Sequence, residues 1–266
     1  MARAVGVVRL GRRAFGPERL LVMAVVSPGD PAAAMERVHE AVAEGADIVD
    51  IGGGRTVPFI AAVRDAYPEL VIGVRWVRPE MAREACAAGA DLINDSWGGW
   101  DDKLAGVAAE FGAGLVCAHT GGQRPRTRPF RVWYADLMAD VLDQTLGLAS
   151  RAEQAGVDPA RIIIDAAHDF GKNTWHSLEI TRRLSEMTAT GWPVLVSLSN
   201  KDFVGETLNA AVDERLAGTL AATAVCAWQG ARIFRAHNVV QTRHVVDMVA
   251  AIKGDVPPAR AVRGLA

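Results

Sequence analysis

The sequence predicts an α/β protein in which eight parallel strands, each followed by a helix, close into a barrel. Three observations support this fold class. Eight apolar runs of strand length recur along the 266 residues, Ala-rich amphipathic stretches separate them, and no Pro- or Ser-rich linker divides the chain. This alternation is the signature of parallel strands joined by crossover helices. The whole chain, residues 1–266, is therefore expected to form a single domain, a (βα)8 TIM barrel.

Each predicted strand is an apolar run of five to eight residues. A run of this length that is bounded by turn residues is typical of a buried strand. The eight runs lie at residues 20–26, 47–53, 70–76, 91–95, 114–120, 161–167, 192–199 and 231–237.

The helices between the strands are predicted from helical spacing and from glycine stops. In residues 31–46 apolar side chains recur on one helix face, and Gly45 stands where a C-cap glycine belongs. Similar endings, a helix followed by Gly and Ala, occur in residues 82–91, 107–114 and 227–232. These short similar segments indicate a repeated strand–helix unit.

Bulk composition excludes several classes of partner. The charged fraction is 23% and the formal net charge is −2, without a cluster of Lys or Arg, so nucleic-acid binding is not expected. The chain has no run of the ~18 apolar residues that a membrane helix needs, and we expect a cytoplasmic protein without a membrane partner. Cys86, Cys117 and Cys226 lie in apolar stretches and are expected to be buried, reduced thiols.

Polar residues stand at the carboxyl ends of most predicted strands. A lone Asp there is more often a helix cap or a turn residue than a catalytic group. Several polar strand ends together indicate a functional site, because barrel interiors otherwise hold Val, Ile and Leu and the chemistry lies at this end. The spacing of Asp and His predicts no zinc site. The residues concerned are Asp50, Arg75, Asn94, His119, Asp165, Lys201, Arg235 and His237.

Six segments carry a resemblance to a known family. They read AEGADIVDIGG (43–53), AAGADLINDSWGG (87–99), AEFGAGLVCAHTGG (109–122), RIIIDAAHDFGKN (161–173), GWPVLVSLSNKDFVGETL (191–208) and ERLAGTLAATAVCAWQGARIFRAHNV (214–239). Together they resemble dihydropteroate synthase, a folate-pathway enzyme within the wider group of pterin-binding barrels. The resemblance implies a (βα)8 barrel that joins a dihydropterin pyrophosphate to p-aminobenzoate and releases pyrophosphate with help from Mg²⁺.

The resemblance also implies that the pterin pocket is intact. Asn94 and Asp165 match the residues that hydrogen-bond the amino group and ring nitrogens of the pterin, and Lys201 matches the lysine on its carbonyl side. Arg235 matches the arginine at the ring face and the anion, and His237 the histidine near the leaving pyrophosphate. The set is chemically coherent, because a carboxylate accepts two hydrogen bonds from an amidine-like edge while an amide both donates and accepts.

Two loops depart from the family pattern. The first family loop reads N-V-T-P-D-S-F and its Asn serves the metal, whereas residues 23–31 read MAVVSPGDP, which is shorter and has no Asn. The second family loop, G-G-E-S-[TS]-R-P-G, is GGGRTVPF in residues 52–59, with Gly54 in place of Glu and Phe59 in place of Gly. Residues 23–31 are therefore expected to form a plain bend, and no metal ligand is predicted although the family uses Mg²⁺.

Three substitutions change the charge of the site. Arg75 stands where the family has a pterin-contacting aspartate, so a donor-only cation replaces an acceptor. Asn200 replaces an arginine and Asp202 a serine that helps to hold the aminobenzoate carboxylate. An anion against that carboxylate costs on the order of 1 to 4 kcal/mol, which is about ten- to several-hundredfold in affinity. Alternatively, Arg75 folds back to pair with Asp50 or Asp165.

These changes predict a dihydropteroate-synthase-like paralogue with lost or strongly reduced synthase activity that binds a pterin-like small molecule. It resembles the second, inactive synthase copies of some actinobacteria. Three alternatives stay open: an active synthase with unusual loops, a pterin-dependent methyltransfer domain, and a non-enzymatic regulatory or assembly partner. The resemblance also implies a homodimer through the last helices, where residues 216–228 offer a small-residue face.

Overall fold

Eight parallel strands close into a barrel in the computed structural model, which describes residues 6–52, 56–75, 78–96, 98–99, 101–122 and 132–264. Two short antiparallel strands, β1 (Val8–Leu10) and β2 (Arg13–Phe15), precede the barrel. The barrel strands are β3 (Leu21–Val26), β4 (Ile48–Gly52), β5 (Val71–Arg75), β6 (Leu92–Asp95), β7 (Gly114–Ala118), β8 (Ile162–Asp165), β9 (Val194–Ser197) and β10 (Ile233–Ala236).

The predicted fold class is confirmed. Each barrel strand falls within one of the eight predicted runs, and pairing of β10 with β3 closes the barrel. The predicted strand ends at residues 53 and 76 lie outside the described residues.

Helices cover the outside of the barrel between successive strands. Asp30 caps the first of them by accepting a hydrogen bond from the Ala32 amide at 3.2 Å, and Gly45 follows its end with φ +89°. This left-handed backbone confirms the predicted glycine stop. The helices are α1 (Pro31–Ala43), α2 (Thr56–Ala66), α3 (Pro79–Ala87), α4 (Lys103–Phe111), α5 (Leu137–Gln154), α6 (Thr174–Arg182), α7 (Ser185–Thr188), α8 (Asp202–Leu208), α9 (Leu216–Trp228) and α10 (Val239–Lys253).

The β1–β2 hairpin closes the amino-terminal end of the barrel. Val8, Leu10 and Phe15 are buried in the same apolar cluster as inward-facing residues of the barrel strands. Gly114 makes room for this plug, because a Cβ there would lie 2.6 Å from Leu10 Cδ2. The sequence pattern does not predict this hairpin, since strands of three residues are too short to show a period.

Alternation along the strands leaves the other end of the barrel polar. Successive side chains of a strand point to opposite faces, so the positions that follow an inward Ile48 on β4 are Asp50 and Gly52. The register pairs Gly52 with Arg75 and Arg75 with Asn94 on neighbouring strands. Arg75 and Asn94 are therefore neighbours at the polar end of the barrel, above the apolar cluster.

The remaining bulk predictions concern the cysteines and membrane spans. Cys86, Cys117 and Cys226 are buried and unpaired, as predicted. Burial raises the pKa of Cys86 to about 11, and of Cys117 and Cys226 to about 12. Within the described part of the chain, none of the helices is both long enough and apolar enough to cross a membrane.

Candidate functional site

A cavity of about 240 Å³ lies at the carboxyl ends of the barrel strands. Its walls come from β5, β6, β7, β8, β9 and β10 and from the loops that follow several of them. All five residues predicted to form the pterin pocket line this cavity, and so does Arg75. The lining residues are Arg75, Asn94, Ser96, Ala118, Asp165, Ala167, Phe170, Ser197, Ser199, Lys201, Arg235 and His237.

The floor of the cavity is organised by Asp50, a wholly buried carboxylate on β4. Its Oδ2 lies 3.0 Å from Arg75 Nε and accepts a hydrogen bond from Arg235 Nε at 2.6 Å. Its Oδ1 accepts a hydrogen bond from Asn94 Nδ2 at 3.3 Å. One carboxylate therefore fixes three of the side chains that line the cavity.

Arg75 folds back onto Asp50 and not onto Asp165, which settles the alternative that the sequence leaves open. The side chain crosses Gly52, where a Cβ would lie 2.6 Å from Arg75 Cγ, and its Nη2 donates to the Val26 carbonyl at 3.2 Å. Burial lowers the pKa of Arg75, and the charge of Asp50 opposes that shift. Because the guanidinium lies against the floor, the cavity stays open beside it.

Asp165 faces the cavity from β8. Its Oδ1 accepts a hydrogen bond from the Ala167 amide at 2.7 Å. Ala167 has φ 50°, in the left-handed region, which costs a residue other than glycine roughly 1 to 2 kcal/mol. Burial raises the pKa of the Asp165 carboxyl, while this hydrogen bond and the charges of Lys201 and Lys172 oppose the shift. The strained turn thus holds an acceptor at the cavity wall.

Lys201 lies beside Asp165, at the end of the loop after β9. Its Nζ donates to the His168 carbonyl at 2.7 Å and lies 4.4 Å from the centre of the Phe170 ring. Burial lowers the pKa of Lys201 to about 8, although the charges of Asp169 and Asp165 oppose the shift. The contacts with the His168 carbonyl and the Phe170 ring therefore fix the position of the Lys201 ammonium.

Lys172 is a buried residue that sequence reasoning missed. Its Nζ donates to the carbonyls of His119, Ala167 and Phe170 at 3.3, 3.3 and 2.8 Å. Burial lowers the pKa of this lysine to about 7. Lys172 thus stabilises the loop after β8 through these carbonyls. The signal that could have indicated its role is a lysine directly after the apolar residues Phe170 and Gly171.

Positive charge collects at the β10 side of the cavity. His237 stands at the rim, with its amide and Nδ1 at 3.2 and 3.0 Å from Ser199 Oγ. Burial lowers the pKa of His237, and Arg235, Arg75 and Arg37 lower it further. The imidazole is therefore neutral near pH 7 in a field set by arginines.

His119 does not line the cavity, although its strand end predicts a place near it. Its Nε2 lies 2.6 Å from Asp140 Oδ1, and its ring packs 5.8 Å from the ring of Tyr134. Burial lowers the pKa of His119 to about 4. This histidine packs behind the mouth and joins β7 to α5.

The positions predicted for the aminobenzoate side lie outside this cavity. Asn200, with φ 59°, lines a neighbouring cavity of about 440 Å³. Asp202 begins α8, and its Oδ1 lies 3.1 Å from Arg215 Nη1, which also donates to the Asn200 carbonyl at 3.0 Å. Because Asp202 has a cationic partner, its repulsion of an incoming carboxylate is smaller than the sequence alone indicates.

The loop after β3 is a bend of four residues, as predicted. The Gly29 amide donates to the Ser27 carbonyl at 2.9 Å, and the Asp30 carboxylate is used as the cap of α1. In the second altered loop, Gly54 lies outside the described residues, and Phe59 is buried in α2.

Two carboxylates near the altered loops, Asp50 and Asp30, are already engaged and are therefore poor candidates for holding a Mg²⁺ ion. Mg²⁺ prefers carboxylate oxygens that keep their charge for the metal. Asp50 is already shared by two guanidiniums, and Asp30 caps a helix. Among the residues with described positions, no group of three His, Cys, Asp or Glu could hold a metal ion.

Replacing Asp50 with Asn is expected to lower the free energy of unfolding by about 3 to 5 kcal/mol, because two buried guanidiniums lose their shared anion. Urea unfolding at pH 7 measures the change. Asp50→Asn combined with Arg75→Met should recover part of the loss, since only one guanidinium then remains. The exposed Asp65→Asn control should stay within about 0.5 kcal/mol of wild type. A loss below about 1 kcal/mol in the single variant would contradict this role of Asp50.

Comparisons with known proteins relate this barrel to pterin-binding enzymes. A family model described as pterin binding enzyme matches residues 24–237. The chain is 51% identical to "Inactive dihydropteroate synthase 2" of Mycobacterium tuberculosis, over 96% of this chain and 90% of that protein. It is 31% identical to the dihydropteroate synthase of Escherichia coli, over 82% of each.

A solved structure supports the same relationship. The dihydropteroate synthase of Coxiella burnetii in complex with pteroic acid superposes with a TM-score of 0.85 and 28% identity, covering 93% of this chain and 98% of that one. The family match, the relatives and the shared barrel lead to one conclusion. The chain belongs to the family of pterin-binding enzymes and is a dihydropteroate-synthase-like barrel close to the inactive synthase paralogues.

Proposed function

We propose that this protein binds a pterin-like ligand at the mouth of its barrel and has lost, or strongly reduced, the synthase reaction. One observation carries the proposal. The acceptor Asp165 and the donor Lys201 still line an open cavity, whereas the floor beneath it is closed by the pairing of Arg75 with Asp50. The pocket for a ring is retained, and the charges around it have changed.

The proposed contacts follow from the chemistry of a 2-amino-4-oxo ring. Asp165 accepts hydrogen bonds from the amino group and the adjacent ring N–H, in the bidentate way that suits a carboxylate. Asn94 adds an amide that both donates and accepts, and Lys201 donates to the ring carbonyl. Phe170 and Ala118 give the flat ring apolar contacts on the cavity wall. The Coxiella burnetii relative, solved with pteroic acid, supports a ligand of this class.

The synthase reaction requires groups beyond those that bind the pterin ring. A C–O bond to pyrophosphate breaks, a C–N bond to the amine forms and the amine loses a proton, so the leaving anion must be stabilised and water excluded. The bend from Ser27 to Asp30 is only four residues and cannot cover the mouth as a closing loop does. Asp202 also puts a carboxylate near the proposed aminobenzoate side. The name of the 51% identical Mycobacterium tuberculosis relative, which calls that protein inactive, supports the same proposal.

Calorimetric titration with 6-hydroxymethylpterin tests the binding. Wild-type protein is expected to bind, and Asp165→Asn should weaken binding about ten- to hundredfold, because a charge-assisted acceptor becomes a neutral amide. The exposed Asp65→Asn variant is the matched control and should bind like wild type. Flat heats for the wild type, or equal affinity of Asp165→Asn and wild type, would contradict the proposed pocket.

We further infer a homodimer of one-domain, cytoplasmic chains, paired through α9 and α10. Four large apolar side chains on these packed helices are exposed: Val225 by 46%, Trp228 by 58%, Met248 by 61% and Ile252 by 60%. Large exposed apolar side chains on two packed helices favour a protein–protein contact. The family resemblance supports the same face.

Sedimentation velocity at micromolar concentration tests the dimer. The wild type is expected to sediment with twice the 28.3 kDa mass of one chain. Trp228→Lys should shift it toward the monomer, because a charge is then placed in an apolar contact. Trp133→Lys changes a tryptophan that is 82% exposed on the loop before α5 and should leave the dimer intact. A wild-type monomer at this concentration would refute the pairing.

A further inference from the structure

Two loops at the cavity are joined by hydrogen bonds between two pairs of consecutive residues. His168 and Asp169 follow β8, whereas Lys201 and Asp202 follow β9. The His168 carbonyl accepts a hydrogen bond from Lys201 Nζ at 2.7 Å, and Asp169 Oδ2 accepts one from the Asp202 amide, also at 2.7 Å. The Phe203 amide donates to the same carboxylate oxygen at 3.4 Å. The loop after β8 therefore holds both the side chain of Lys201 and the first residues of α8, which follow directly in the chain.

The carboxylate of Asp169 is itself held in place by α6. Its Oδ1 accepts a hydrogen bond from Ser177 Oγ at 2.9 Å, and Ser177 Oγ accepts one from the Asp169 amide at 3.1 Å. Ser177 is wholly buried. Asp169 thus connects the loop after β8 to two helices, α6 and α8, and both of its carboxylate oxygens are used.

The backbone of the two joined loops is strained. Among the residues that the structure describes, four other than glycine have a positive φ, and three of these lie in the two loops: Ala167 at 50°, Asp169 at 67° and Asn200 at 59°. Such a backbone costs free energy in a residue with a side chain, and it persists where surrounding contacts fix it, often at functional sites. The strain beside the cavity therefore favours a role for these loops in ligand binding.

Asp169 also acts on the charge of Lys201. Burial lowers the pKa of Lys201 to about 8, and Asp169 is the charge that opposes this shift most. Asp165 and Asp202 act in the same sense as Asp169, and Arg235 acts in the opposite one. The titratable groups that face Lys201 are Asp165, His168, Asp169 and Lys172 from β8 and its loop, Asp202 from α8 and Arg235 from β10.

We propose that Asp169 is a positioning residue, which sets both the place and the protonation of Lys201 although it is not among the residues that line the cavity. The inference rests on the proposed pterin-like binding and deepens it by naming what controls the donor to the ring carbonyl. A ring carbonyl accepts a strong hydrogen bond only from a charged ammonium that stands within reach. Asp169 supplies both conditions, through the start of α8 and through its own negative charge.

Calorimetric titration with 6-hydroxymethylpterin over about pH 6 to pH 9 tests this role. Because the pKa of Lys201 is about 8, its ammonium is present below that pH and is lost above it. The affinity of the wild type is therefore expected to fall as the pH rises through about 8. Ionisation of the ring itself contributes to the fall, but it is the same for every variant, so a difference between variants reports the protein.

Two variants separate the charge of Asp169 from its contacts. Asp169→Asn removes the charge but keeps an oxygen that can accept from the Asp202 amide. The pKa of Lys201 should then fall further, so that affinity is lost at a pH lower by at least about 0.5 than in the wild type. At about pH 6.5 this variant should bind within about threefold of the wild type.

Asp169→Gly removes the whole carboxylate. Glycine adopts a φ of 67° without strain, so this variant is expected to fold. It should lose affinity at the same lowered pH as Asp169→Asn. It should also bind about tenfold more weakly at about pH 6.5, because the start of α8 and Lys201 are no longer held.

Asp158→Asn is the matched control. Asp158 caps the turn before β8, at the opposite end of the barrel, by accepting a hydrogen bond from the Ala160 amide at 2.9 Å. This variant should keep both the affinity and the pH dependence of the wild type.

Each remaining outcome overturns one proposal. Wild-type affinity and pH dependence in both Asp169 variants would overturn the role of Asp169, while pterin binding itself stands. A loss of affinity that is equal at every pH would overturn it too, because a merely structural change leaves the protonation of Lys201 as it is. No heat from the wild type at any pH would overturn the proposed function, and this inference with it.

Discussion

The mouth of this barrel depends on the carboxylate of Asp50. It is completely buried, yet it holds Arg75, Arg235 and Asn94 from three other strands by contacts of 2.6 to 3.3 Å. Removing a buried ion costs more than the pair stabilises, because the partner charges are then stranded in a medium of low polarity. The position of each cavity-lining side chain on this floor therefore follows from one anion.

The rest of the fold makes that arrangement possible. The β1–β2 hairpin and the inward apolar residues fill the amino-terminal half of the barrel, so that polar groups are confined to the other half. There the β8 side keeps an acceptor, Asp165, on a strained turn that Lys172 supports from beneath. The bend after β3, residues 27–30, is too short to close over the same mouth. Ring binding and the chemistry of synthesis would thus rely on different parts of the structure, and we propose that only the first part is retained.

The local sequence pattern predicts most of the fold. The arrangement of the side chains in the site depends on contacts between residues far apart in the sequence, which the pattern does not predict. The apolar runs predict all eight barrel strands, because a buried strand needs only a few consecutive apolar residues. The resemblance brings Asn94, Asp165, Lys201, Arg235 and His237 to one cavity, as the structure does. The sequence could not choose between Asp50 and Asp165 as the partner of Arg75, because side-chain direction depends on the space that Gly52 leaves across the register. The Asp202–Arg215 pair and the contacts of the buried Lys172 likewise depend on side-chain direction. The hairpin plug was not predictable because its strands have only three residues each.

The central claim is that the ring pocket persists without the synthase reaction. It is tested most directly by pyrophosphate release, measured with the purified protein, dihydropterin pyrophosphate and p-aminobenzoate in the presence of Mg²⁺. The Escherichia coli dihydropteroate synthase, 31% identical to this chain, serves as the active control. We expect release at least about a thousandfold slower than in the control, a difference of roughly 4 kcal/mol in the barrier. Release within about tenfold of the control would contradict the account, because the groups absent here would then be dispensable.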